Sequence, residues 1–108
     1  MKKNSKTYWV QIYASVPIEI AKQVCREYCL RVGLCVTIEP STYIYTGGEE
    51  AGYVVGSINY PRFCAEPAEI LNKALELANL LLDRTAQHSV LVMDANETIW
   101  TTKREDKK

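Results

Sequence analysis

The residues of this 108-residue chain that could carry chemistry are one histidine, four cysteines, two acidic turns and a double glycine. His88 sits where a loop is expected, and a histidine catalyst needs a positioned partner. Ser89 is adjacent, but no serine, cysteine and acid set has a recognisable spacing around it. Cys25 and Cys29 are four apart and share a helix face. With Cys35, Cys64 or His88 they could in principle form a tetrahedral thiolate site. There is no C-x-x-C knuckle, and cysteine is among the most buried residue types. Buried, reduced thiols are therefore the expectation, and without a secretory signal no disulfide is expected.

The acids do not pair in a form that suits proton transfer. Glu49-Glu50 and Asp94 with Glu97 fall in turns that lack apolar neighbours in sequence, and a general acid needs a pocket that raises its pKa. A calcium loop starting at Asp94 would need glycine at its sixth position, which is Ile99. Gly47-Gly48 are followed by two glutamates and a strand pattern rather than a helix start, so they do not form a phosphate cradle. The expectation is no catalytic residue, no metal ligand and no cofactor.

The aromatic residues are the one enrichment. Seven tyrosines and two tryptophans fall mostly in strand patterns. Trp9, Tyr13, Tyr43, Tyr45 and Tyr53, with Glu49 and Glu50 at the turn between them, form the expected partner-binding surface. Tyrosine and tryptophan are favoured anchors at protein interfaces. In RNA-recognition sheets, aromatics on the first and third strands stack on bases. Ile12-Tyr13 and Gly52-Tyr53 stand loosely in such places, but the basic residue and second aromatic of the usual third-strand pattern are missing.

These side chains have to be placed by the elements around them. Tyr8 to Ala14 alternates as a strand, with Val10, Ile12 and Ala14 on one face and Trp9, Gln11 and Tyr13 on the other. Ser15-Val16-Pro17 opens a helix, with serine as cap and Glu19 near the positive end. Ile18, Ala21, Val24, Cys25, Tyr28 and Val32 form its apolar stripe, and Gly33 can end it in a left-handed conformation. A second strand is expected from Leu34 to Glu39; Pro40 removes a ladder donor and implies an edge strand or a break, and the strand pattern resumes over Thr42–Thr46. A third runs over Gly52–Tyr60, where Gly56 suggests a bulge or a close approach. A hairpin with positive φ at Gly47-Gly48 joins the two. A wide apolar arc from Glu66-Pro67 to about Thr85 predicts the more buried helix, and Val90–Met93 a fourth strand. Residues 98–102 could return as a fifth.

The order βαββαβ predicts a single α+β domain, a ferredoxin-like sandwich with two helices on one face of an antiparallel sheet and the other face open. Acylphosphatases, metal chaperones, amino-acid-sensing domains and RNA-recognition domains share that topology, so fold alone does not name a function. ASVPIE stands where the first would carry an anion loop and the second its paired cysteines.

Formal net charge is zero. Residues 1–6 and 103–108, expected to be flexible ends, are basic, whereas residues 7–102 hold 6 basic and 11 acidic side chains. An acidic body is a poor match to a nucleic-acid binder. No apolar run is long enough for a membrane span. The expectation is therefore a cytoplasmic, non-enzymatic interaction module. It would be an inhibitor or accessory factor of phage or mobile-element type, acting on a basic protein partner, with a homodimer also expected. Single-stranded nucleic-acid binding through the aromatic face and basic ends is the alternative.

Overall fold

The computed structural model describes residues 1–15, 17–85 and 88–103. The elements are β1 (Trp9–Ser15), α1 (Ile18–Val32), β2 (Thr37–Tyr45), β3 (Gly48–Ile58), a 3-10 turn (Pro61–Phe63), α2 (Pro67–Arg84), β4 (Ser89–Asp94) and β5 (Thr98–Thr102). One antiparallel sheet has the order β2-β3-β1-β4-β5, so the expected α+β ferredoxin-like sandwich is present and the fifth strand forms. Both helices cover one face, α2 crossing β1 and β4 and α1 packing beside it. No helix among the described residues is long and apolar enough to cross a membrane.

Alternation in β1 decides the layers. Val10, Ile12 and Ala14 face the helices and are buried. They meet Val24, Cys25 and Tyr28 from α1, and Ile70, Leu77 and Leu81 from α2, in one core. Tyr53 and Val55 of β3, and Val90 and Val92 of β4, complete it. Burial pushes the Cys25 thiol up to about 11, the neighbouring Cys29 adding to it.

Five local expectations change or narrow. The cap of α1 is Pro17, not Ser15, and it makes no side-chain cap bond. Of the two readings of Pro40, an edge strand or a break, the edge strand holds: β2 is unbroken and needs no partner for the missing donor. Gly56 pairs in regular register with Gln11 and Thr37, so there is no bulge there. Of the hairpin glycines, Gly47 takes positive φ (97°). The cysteines were expected in the core, but only Cys25 is buried; Cys29 is half-buried, and Cys35 and Cys64 are exposed.

The β4–β5 turn is held by a buried carboxylate. Asp94 Oδ1 accepts the backbone N–H groups of Asn96 (2.8 Å) and Glu97 (2.9 Å), and Oδ2 accepts the Tyr8 hydroxyl at 2.7 Å. The Tyr8 hydroxyl and then the two amides hold the Asp94 carboxyl below its ordinary value, while burial opposes them. A depressed carboxylate stabilises the fold above its unfolded pKa, and that contribution is lost as pH falls through the folded value. Asp94→Asn should therefore lower stability at pH 7 by about 1–3 kcal/mol. It should also flatten the loss of stability below about pH 4. Urea unfolding of both proteins at pH 7 and pH 3 checks this; a constant difference across that range contradicts the assignment.

Candidate functional site on the open sheet face

The open face is set by the same register. Tyr13 lies opposite Val54 on one side and Leu91 on the other, and Leu91 lies opposite Trp100. β1 stops at Ser15, opposite Gly52, while β2 and β3 continue as an arm to Tyr45 and Gly48. Where the central strand stops, a shallow depression of about 440 Å³ forms between the arm and β4–β5. Tyr13, Ser15, Tyr43, Glu50, Leu91, Met93 and Trp100 are among its lining residues.

Tyr43 is the wall on the arm side. It sits opposite Glu50, and its ring crosses β3 over Gly52 to reach β1. Its hydroxyl lies 2.7 Å from the Tyr53 carbonyl and 3.0 Å from the Ala14 carbonyl, and its single hydrogen is shared between them. Burial raises the Tyr43 hydroxyl pKa; nearby Tyr13 and Glu50 add to this, and the two carbonyls oppose it. The crossing is possible because residue 52 has no side chain. A Cβ there would overlap the Tyr43 ring and come within 2.5 Å of the Ala14 carbonyl oxygen. The close approach anticipated at Gly56 is present there, where a Cβ would lie 3.1 Å from Thr37 Oγ1, and the approach at Gly52 is tighter still. On the other side, the Tyr13 hydroxyl donates to Gln11 Oε1 at 2.7 Å. Trp100 is 58% exposed, so its ring is free to meet a ligand.

The only formal charge lining the depression among the described residues is Glu50. Three aromatic rings and a carboxylate around an apolar floor make a surface for a cation. Ring faces carry negative potential, and the carboxylate supplies a full counter-charge. Phosphate or nucleic acid would be repelled.

Of the residues anticipated as one binding surface, the structure brings together Tyr13, Tyr43 and Glu50. Tyr53 is not on that surface. It faces the helices at 0% exposure, and burial pushes its hydroxyl up to about 12. The strand period places it there: Tyr43 and Tyr53 flank the hairpin at positions that face opposite sides of the sheet. Glu49 pairs with Ile44 on the side opposite Glu50, Tyr45 lies towards the hairpin tip, and Trp9 stands at the other end of the open face beside Ile58. His88 is exposed, and its carbonyl accepts from Lys103 N and Thr102 Oγ1. Trp100, Leu91 and Met93 were not anticipated, although alternation around the buried Val90 and Val92 points Leu91 and Met93 outward.

No protein-family profile matches the chain, and no curated protein matches it in sequence. Solved structures do match. A phage SAM lyase in the apo state superposes with a TM-score of 0.71 at 15% identity, covering 99% of this chain and 98% of that one. A phage SAM lyase in complex with S-methyl-5'-thioadenosine gives 0.68 at 14% identity, covering 94% of both. The chain has the fold of a phage SAM lyase. This corrects the expectation of a non-enzymatic interaction module, its nucleic-acid alternative and the reading of the chain as no enzyme, because the solved structures that superpose on it over nearly its whole length are those of a lyase. Sequence reading missed this because an enzyme was sought in histidine, cysteine and paired-acid patterns, whereas the likeness lies in the arrangement of elements at 14–15% identity.

Gly52→Ala should cost about 1–3 kcal/mol, as overpacking against backbone does, and should displace Tyr43. Tyr43→Phe should keep the ring in place and cost about 1 kcal/mol for the lost hydroxyl bond. Thermal unfolding of both variants gives the comparison; equal small losses would show that the ring does not cross at Gly52.

Proposed function

We propose that this chain cleaves S-adenosylmethionine at the open-face depression and releases S-methyl-5'-thioadenosine. The observation that carries the reading is the end-to-end likeness to SAM lyases. The chemistry of the depression supports it. The substrate carries a sulfonium, a compact cation with methyl and methylene groups around it. Tyr13, Tyr43 and Trp100 offer faces to such a cation, and Glu50 offers a counter-charge to the sulfonium or the neighbouring ammonium.

In the cleavage, the bond from sulfur to Cγ of the amino-acid chain breaks and its electron pair goes to sulfur. The sulfonium becomes a neutral thioether, S-methyl-5'-thioadenosine. Cγ is satisfied in one of two balanced ways. The substrate's own carboxylate oxygen can attack it and close a five-membered lactone, with no proton moved in that step. Alternatively, the Cβ–H electrons form an alkene and the proton passes to a base, for which Glu50 is the carboxylate at hand. Positive charge on sulfur falls in either transition state. The aromatic faces therefore favour bound substrate, and acceleration comes from holding the chain in a reactive conformation against an apolar floor.

Incubation with S-adenosylmethionine, followed by chromatography, should show S-methyl-5'-thioadenosine in equal amount to substrate lost. No product with folded protein overturns the reading. Tyr43→Leu and Trp100→Ala should raise KM by roughly 2- to 30-fold, as a lost cation–π contact of about 0.5–2 kcal/mol implies. Glu50→Gln separates the two courses. Weaker substrate binding with unchanged turnover goes with a lactone product, and turnover slowed by about 100-fold or more goes with the alkene.

A further inference from the structure

A second concavity lies at the opposite end of the sheet, six residues along β3 from Gly52, or about 20 Å at the strand rise. It runs between the connector at 33–35, the end of β3 and the first turns of α2, is more enclosed than the open-face depression, and holds about 310 Å³. Its walls include Ile58, Phe63 and Ile70. Ile58 and Phe63 are 58% and 71% exposed, a large apolar lip left to water.

Two opposite charges, Glu69 and Lys73, line the same groove. Glutamate four residues before lysine is the arrangement that favours an ion pair along a helix. None forms between them. The Lys73 ammonium instead makes two long hydrogen bonds, to the carbonyls of Val32 (3.5 Å) and Gly33 (3.4 Å) at the end of α1. An ammonium has three N–H donors, so one remains. The groove therefore offers a held cation, an apolar wall and, one turn away, a carboxylate with no ion-pair partner among the described residues.

We propose that this groove is a second small-molecule site, which takes a free α-amino acid with a bulky apolar side chain. The ligand's carboxylate meets Lys73, its ammonium meets Glu69, and its side chain covers Ile58, Phe63 and Ile70. The zwitterion joins two protein charges that do not reach each other, and charge-assisted bonds of this kind are among the stronger ones. The volume lies within the range of small-molecule pockets. The site is independent of the lyase reading.

Titration calorimetry tests it with L-tryptophan, L-phenylalanine and L-leucine, and with two truncated probes: tryptamine, which lacks the carboxylate, and indole-3-propionate, which lacks the ammonium. Cys35 is exposed and lines the groove, so its alkylation by iodoacetamide, followed by mass spectrometry, reports occupancy. L-tryptophan should bind at least about tenfold more tightly than either truncated probe and should slow Cys35 alkylation. Glu69→Gln should remove its advantage over indole-3-propionate, and Lys73→Met its advantage over tryptamine, each variant keeping the other preference. A variant that merely misfolds would lose both preferences and its circular dichroism. The proposal is overturned if none of the three amino acids binds the wild-type protein at millimolar concentration, if Cys35 is not protected, or if the folded variants bind L-tryptophan as the wild type does.

Discussion

Everything in this molecule depends on the register of β1 against its two neighbours. Pairing of Ile12 with Val55 on one side and Val92 on the other puts three apolar strands on the helix face. A slip of one residue would send Trp9, Gln11 and Tyr13 into the core and Val10, Ile12 and Ala14 into water. The core and the open face are thus two outcomes of one constraint. The aromatic surface exists because aliphatic residues were placed correctly on the other side.

The site grows from where that strand ends. β2 and β3 outrun β1, and an arm that projects past its neighbour leaves a concavity. One missing side chain then turns the concavity into a shaped site. With no Cβ at residue 52, Tyr43 lies across β3 and is pinned to carbonyls of Ala14 and Tyr53. A ring held at its hydroxyl end loses little further freedom when a ligand arrives, so such a wall favours binding. Glu50, opposite Tyr43, gives the same wall its charge.

Fold was legible in the sequence to a greater depth than function was. The stripe of Ala21, Val24, Cys25 and Tyr28, and the wide arc of α2, carried both helices correctly, because a helix face must repeat every 3.6 residues wherever it is buried. Strand ends were less legible. β2 runs through Pro40, since an edge strand tolerates what a central strand does not, and edge or centre is a property of the whole sheet. Tyr53 shows the limit for side chains. Its type suits an interface and a core equally, and only its pairing with Ala14 and Pro40 puts it inside.

By itself, the sequence determined the order of elements, the two helices and their buried faces, the αL stop at Gly33 and the glycine turn after Tyr45. Periodicity and backbone stereochemistry act over a few residues, so they can be read locally. Only the tertiary structure decided which aromatics share a surface. Tyr13, Tyr43 and Trp100 come from three strands and meet because the chain returns twice past β1. The same holds for Gly52, whose lack of a side chain has meaning only once Tyr43 lies above it. A depression lined by aromatic rings and one carboxylate leaves no spacing in the chain, since its parts are neighbours across the sheet and not along it.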